Sequence, residues 1–381
     1  MPRFLHTADW QIGRTFTRFE PESAVLLAEA RLNAVERLAA LATEHRVDAV
    51  LVAGDVFDAQ ILSERTLRRL FLALKGFTGS WVLLPGNHDA GLPQGVWQHV
   101  QSLGVMPEHV HVALRPEPIC LPGSNLVVLP APLTQRHTVH DLTAWFDHAD
   151  TPEGWVRVGL AHGCVSGFLP ESIDAPNPIA ADRAQRAGLA YLALGDWHGC
   201  KAINERTWYS GTPEPDRFRS NEAGHALLVT VETSTDVPDV QKLPIGLHRW
   251  WQHEVTLSVP SDLDALLTWL HQREATDVID LRVSGSLDLA GRARLQRTLG
   301  ETHARVRHLQ HTLDGLTWAP TDDELATLQA DGYVGELLAE LRQAQHASGE
   351  AGQQAREALA LLTETLMRHR PALTPHRGDM L

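Results

Sequence analysis

The chain has 381 residues, enough for one large domain and one or two smaller ones, and 47 acidic against 33 basic side chains give it a formal charge of −14. That balance argues against a surface that binds nucleic acid everywhere, but not against a local contact made by a few arginines and bound cations. Three cysteines imply no disulfide framework, and no apolar run has the length of a membrane span or the form of a secretory leader, so a soluble cytoplasmic protein is expected.

In chain order, the first short apolar run is Arg3-Phe4-Leu5-His6-Thr7, and it stops at Asp9 and Gln11. A helical pattern over residues 22–46 leads to Ala49-Val50-Leu51-Val52, which stops at Asp55. A second helix over 61–76 leads to Trp81-Val82-Leu83-Leu84, followed by Asn87 and His88. Residues 116–132 and 166–178 are rich in turn formers and read as loops. Between and beyond them, Val156-Arg157-Val158-Gly159-Leu160 stops at His162, and Ala190-Tyr191-Leu192-Ala193-Leu194 stops at Asp196 and His198. Shorter β-like runs over 201–246, such as Ala226-Leu227-Leu228-Val229-Thr230-Val231, read as a second sheet completing a sandwich. Pro244 and Gly246 then mark a boundary. The pattern after it is strand 250–259, helix 262–273, strand 278–283 and helix 290–298, a small α+β module. From 322 onward the chain is rich in helix formers, with a break at Ala347-Ser348-Gly349. Its apolar stripes are Leu337, Leu338, Leu341 and Leu359, Leu362, Leu366.

The five runs before residue 200 read as buried strands of a sheet covered on both faces, because they are short, continuous and bounded by Gly or Pro. Ligands of open α/β sheets bind beyond the carboxyl ends of the strands, where every residue singled out here lies. One strand-end Asp or His is ordinarily a turn former, but five in order point to a shared metal centre. Two divalent cations about 3.5 to 4 Å apart need a shared anionic ligand, and Asp55 in Gly54-Asp55-Val56-Phe57-Asp58 is the candidate. Asp9 and Gln11, two apart in an extended segment, would point the same way, and Asp196 and His198 repeat that spacing. Asn87 offers a carbonyl oxygen and His162 an imidazole nitrogen. His88 would face a phosphate, as a general acid or a stabiliser of developing charge. Asp58 and Asp89 read as turn or supporting contacts. Cys164 and Cys200, each two residues after a histidine, suggest thiolate ligands, although small buried residues are the plainer reading.

Asp9-Trp10-Gln11, Gly54-Asp55, Gly86-Asn87-His88-Asp89, His162-Gly163 and Gly195-Asp196-Trp197-His198 resemble the five motifs of calcineurin-like metallophosphoesterases. Leu5-His6-Thr7-Ala8-Asp9-Trp10 and Tyr209-Ser210-Gly211-Thr212-Pro213-Glu214 are more narrowly similar to SbcD-type and YhaO-type DNA repair nucleases. The resemblance implies an α/β fold: a metallophosphoesterase two-sheet sandwich flanked by helices, with a C-terminal α+β capping module and a helical tail. It places a nuclease domain at 1–246, a capping domain at 248–318 and a helical segment at 319–381. It further implies two divalent metal ions, Mn²⁺ or Mg²⁺, held by Asp9, Gln11, Asp55, Asn87, His162, Asp196 and His198, with DNA as substrate, a homodimer, and an SbcC-like coiled-coil ATPase as partner.

Two positions depart from that pattern. Gln11 stands where the family has His after Asp-x, and Asp196 stands where it has the first His of Gly-His-x-His. Both exchanges bring hard oxygen ligands, which favour Mn²⁺ or Mg²⁺. Arg14, Arg18, Arg217 and Arg219 flank the motifs and are candidates for DNA contact. The expected function is a two-metal phosphodiesterase acting on DNA. The rival readings are a catalytically weak subunit that organises the ATPase and a small-molecule phosphoesterase.

Overall fold

The computed structural model describes residues 1–167, 176–233, 235–318, 321 and 332–369. Its opening segments alternate strand and helix: β1 (Arg3–Thr7), α1 (Pro21–Glu44), β2 (Ala49–Val52), α2 (Glu64–Leu74), β3 (Ser80–Leu83), α3 (Val96–Leu103) and β4 (Val110–Val112). Pro21 presets the backbone at the start of α1, and the Ser63 hydroxyl caps α2 by accepting the Thr66 amide at 3.1 Å. There follow β5 (Ile119–Leu121), β6 (Leu126–Ala131), β7 (Val156–His162), β8 (Cys164–Val165), β9 (Pro178–Ile179), α4 (Arg183–Arg186) and β10 (Tyr191–Gly195). Then come β11 (Lys201–Ala202), β12 (Thr207–Tyr209), β13 (His225–Thr230) and β14 (Asp239–Pro244).

Twelve of these strands form two six-stranded sheets, ordered β14-β13-β1-β2-β3-β4 and β11-β12-β10-β7-β6-β5, and β8 pairs with β9 apart from them. Alternation along each strand divides the core. Phe4, Leu51 and Val82 of the first sheet pack against Val128, Val158, Leu160 and Tyr191 of the second. Leu5, Val50, Val52 and Trp81 face the other way and meet Val35 and Leu38 of α1 and Leu67 and Leu70 of α2.

Three expectations need correction. The five apolar runs do not share one sheet: β1, β2 and β3 lie in the first, β7 and β10 in the second. Strands of both sheets are covered on one side by the other sheet and on the other by flanking helices and loops, so burial could not assign them. The segment around Ala226 does not build the second sheet. It is β13, antiparallel to β1 from Arg3↔Thr230 to His6↔Leu227. Residues 116–132 are not simply a loop, since they hold the β5–β6 hairpin with β6 wholly buried. Pro130 is tolerated there because β5 pairs only as far as Val128 and has ended before Pro130 is reached.

The unit Met1–Arg249 holds these elements, and a second compact unit spans Trp250–Leu381. The latter contains β15 (Arg249–Leu257) but for its first residue, with α5 (Pro260–His271), β16 (Asp277–Leu287), α6 (Leu289–Arg305), β17 (His308–Trp318), α7 (Tyr333–Ala344) and α8 (Glu350–His369). Its three-stranded sheet is ordered β15-β16-β17, with β17 parallel to β16. Leu257, Ile279 and Leu281 pack there with Leu266, Leu270, Leu295 and Leu299 of the helices. The sequence pattern does not reveal β17, whose apolar positions are sparse. Helices α7 and α8 pack on each other through buried Leu338 and Leu359, with Leu341, Leu362 and Leu366 around them. Residues 168–175 of the expected loop and 319, 320, 322–331 and 370–381 of the expected helical segment lie outside the described residues. Among the described residues, no helix is long and apolar enough to cross a membrane.

Candidate metal centre

Beyond β1 and β2 the backbone continues as two paired loops. The Asp9 amide donates to Gly54 O at 3.0 Å, Gln11 to Asp55 O at 2.8 Å and Ile12 to Val56 O at 2.9 Å. This local pairing holds the two loops in register, but the backbone there is not the extended chain that the two-residue spacing predicts. Asp9, Gln11 and Asp55 have φ of 56°, 45° and 52°, and Asp196 and His198 have 101° and 59°. Left-handed backbone at non-glycine residues costs on the order of 1 kcal/mol or more each and concentrates at functional sites. Gly54, at φ 89°, lies so close to the His162 ring that a Cβ would fall 2.2 Å from Nδ1.

Asp9, Asp55 and His162 are buried, with ligand atoms all within 4.8 Å of one another. His162 Nδ1–H donates to Ala53 O at 2.8 Å, which turns Nε2 toward three oxygens: Asn87 Oδ1 at 2.9 Å, Asp55 Oδ1 at 3.5 Å and Asp196 Oδ1 at 3.6 Å. Burial opposes charge on this imidazole, yet the Asp55, Asp196 and Asp9 carboxylates outweigh it and push its pKa up to about 9. Burial also raises Asp9, with the charges of Asp55 and Asp196 adding to the effect. Both shifts mark a pocket short of positive charge. The donors are hard oxygens with imidazole nitrogen, a set that suits Mn²⁺ or Mg²⁺, so the residues fit divalent cations.

The loop after β3 is fixed by Asp89. Its carboxyl accepts the Gly86 amide at 2.6 Å and the Phe57 amide at 3.1 Å, and burial next to Asp55 raises its pKa to about 8. Asp55 Oδ1 accepts the His88 amide at 2.9 Å. The His88 ring donates Nδ1–H to Asp58 O at 2.9 Å, and Nε2 then lies 4.0 Å from Asp55 Oδ2.

On the opposite side, Asp9 accepts the Asp196 amide at 3.1 Å. Gln11 is buried beside it, but its amide oxygen accepts from Arg14 Nη1 while Nε2 lies 3.2 Å from His198 Nε2 and 3.5 Å from Asp55 Oδ2. His198 Nδ1 lies 3.3 Å from Asp216 Oδ2 and 2.9 Å from Arg217 Nη2, so the ring is held between a carboxylate and a guanidinium. Asp216 is buried. Its burial would raise its pKa, but His198 and Arg217 hold the carboxyl well below the usual range. Arg217 binds it through Nε at 2.9 Å and Nη2 at 3.1 Å, and Arg14 lies 3.1 Å away. Arg18 reaches Asp216 O at 3.4 Å and stacks over Phe19 and Phe218, and Arg219 is exposed. Burial raises the thiols of Cys164 and Cys200, which disfavours the thiolate a ligand would need.

Sequence reasoning missed two supporting residues. Asp216 orients His198 as carboxylates orient metal-ligating imidazoles, and its signal was a second acid two residues after Glu214. Arg31 is fully buried, donating to Trp10 O at 2.6 Å, Asp9 O at 2.8 Å, Glu214 O at 3.1 Å and Thr212 Oγ1 at 3.1 Å. It ties the Asp9 loop to the 212–214 segment. The signal was a cation within the apolar stripe Leu27, Ala30, Ala34 and Leu38.

A family model described as calcineurin-like phosphoesterase matches residues 2–200. The SbcD subunit of the nuclease SbcCD from Bacillus subtilis is 26% identical over 344 residues, 77% of this chain and 83% of that protein. Its counterpart of the same description from Rhodobacter capsulatus is 40% identical over 94 residues, only 23% of this chain and 21% of its own. The uncharacterized metallophosphoesterase YhaO of Bacillus subtilis is 26% identical over 207 residues, 51% of this chain and 48% of that one. The family match takes in all five motifs and the strand ends that carry them, and the chain belongs to the calcineurin-like phosphoesterase family.

Proposed function

We propose that the protein is a two-metal phosphodiesterase acting on DNA, of the SbcD type. The observation that carries the reading is the convergence of Asn87, Asp55 and Asp196 oxygens on His162 Nε2, and we take Asp9 with His198, which Gln11 links to Asp55, as the second set. When bound, divalent cations would supply Lewis acidity at the phosphoryl oxygens and an activated water as nucleophile. The chain's own residues orient and neutralise. Asp55 stands between the two sets, and Asp216 and Ala53 O fix the two imidazoles. His88, anchored at Nδ1 and 30% exposed, presents Nε2 to a phosphate oxygen or to the leaving oxygen. The family uses divalent metals, and the oxygen-rich donor set favours Mn²⁺.

In this proposal residues 1–246 form the nuclease domain, 248–318 cap it and select DNA, and 319–381 dock on an SbcC-like coiled-coil ATPase, in a cytoplasmic homodimer. The relatives described as one subunit of a nuclease support the substrate class and the partner. Arg14, Arg18, Arg217 and Arg219 are the proposed DNA contacts. A second reading, a catalytically weak subunit that organises the ATPase, draws support from the Gln11 amide oxygen being engaged by Arg14.

The test is hydrolysis of single- and double-stranded DNA and of a generic phosphodiester with Mn²⁺, comparing the parent with Asp55→Asn and His88→Ala. DNA cleavage lost in both variants supports the proposal. An inactive parent across Mn²⁺, Mg²⁺ and Co²⁺ favours the organising role, and faster turnover of the small diester refutes DNA as substrate.

A further inference from the structure

We infer that the two halves of this centre take cations unequally, and that the Gln11 carboxamide is a latch on the weaker half. The inference rests on the proposed metal dependence and adds an order of loading to it.

The half built from His162, Asn87, Asp55 and Asp196 brings one nitrogen and three oxygens to a point. His162 Nδ1–H donates to Ala53 O, so Nε2 is the ring atom that faces those oxygens, an arrangement that a cation satisfies directly. The half built from Asp9, Asp55 and His198 differs. Gln11 turns its amide hydrogens toward Asp55 Oδ2, at 3.5 Å, and His198 Nε2, at 3.2 Å, the two atoms that a cation there would need. This orientation is imposed from outside the centre. Arg14 is held by Asp216 at 3.1 Å and Asp58 at 3.8 Å, and a guanidinium only donates, so the reversed amide would set donor against donor. Arg217 adds positive charge, its Nη2 lying 2.9 Å from His198 Nδ1. A cation entering this half must turn the amide over, break its bond to Arg14 and come to rest beside two guanidinium groups. The His162 half imposes none of these costs.

The experiment is Mn²⁺ binding to the full chain, by equilibrium dialysis and by the electron paramagnetic resonance signal of free Mn²⁺. It compares the parent with Gln11→His, which replaces the latch by an imidazole, and with Arg14→Ala, which releases it. The parent should bind one ion at least about tenfold tighter than a second, and Gln11→His should tighten the second by about tenfold or more while leaving the first within about threefold. Arg14→Ala should shift the second ion in the same direction, and it decides the question if Gln11→His does not fold. Two ions bound alike by the parent, or a second ion unmoved in the folded variants, overturns the inference alone. An absence of bound Mn²⁺ at millimolar concentration overturns the proposed function with it.

Discussion

His6 lies in β1 in the middle of the sandwich, fully buried, and its ring is satisfied in only one neutral form. Leu194 O, 3.2 Å from Nε2, only accepts, so Nε2 carries the proton and Nδ1 accepts from the Tyr191 hydroxyl at 3.0 Å. Burial lowers its pKa from 6.5 to about 3, with the Leu194 carbonyl opposing only in part. The unfolded chain therefore takes up a proton between these values that the folded chain refuses, and stability contributed by neutral His6 is lost as pH falls from 6.5 toward 3. At about 1.36 kcal/mol per unit, the loss reaches about 3 kcal/mol at pH 4.5 and about 5 kcal/mol near pH 3. His6→Gln keeps a donor for Leu194 O and removes the titration. In urea titrations at pH 7 and 4.5, read by hydrogen exchange of β1 peptides, the parent should lose about 3 kcal/mol more than this variant on acidification. Losses equal to within about 0.5 kcal/mol would refute the reasoning, since carboxylates elsewhere act on both proteins alike.

Asp216→Asn removes the negative charge that offsets Arg14 and Arg217 beside His198, leaving two guanidinium groups to repel an entering cation, so half-saturation by Mn²⁺ should rise about 10- to 100-fold, and an unchanged titration would dismiss the role. Gly54→Ala adds a methyl 2.2 Å from the His162 ring at a φ of 89° and should cost about 1–3 kcal/mol in thermal unfolding as well as metal binding, and wild-type values for both would contradict the close approach. Metal binding must displace the proton that the surrounding carboxylates hold on His162 up to about pH 9. Affinity should thus rise about tenfold per pH unit from 7 toward 9, and calorimetry in HEPES and Tris at pH 7.5 should detect at least about one proton released per ion; buffer-independent heats would count against it.

The fold class was legible in the sequence, as was the gathering of candidate ligands at strand ends, while the assignment of strands to sheets was not. Ligand-type residues at the ends of apolar runs are written directly in sequence, and the structure brings Asp9, Asp55, Asn87, His162, Asp196 and His198 together. Sheet membership was not written there, because β7 and β1 are equally apolar and buried while belonging to different sheets. Nor was the left-handed backbone at Asp9 and Asp196: alternation predicts side-chain direction only where the chain is extended. Gln11 shows the limit most clearly. Its identity suggested an oxygen ligand, but Arg14, three residues away, sets which end of the amide faces the centre. For Arg31 the local pattern shows only a cation within an apolar helical stripe, while the carbonyls that satisfy it come from distant segments.

The claim at the root of this account is that the strand-end residues hold divalent cations. Crystals grown with Mn²⁺ and measured at the manganese absorption edge test it most directly. The account predicts one strong anomalous peak among His162 Nε2, Asn87 Oδ1, Asp55 and Asp196, with a weaker one between Asp9 and His198. Density only elsewhere, or none at saturating Mn²⁺, would contradict it.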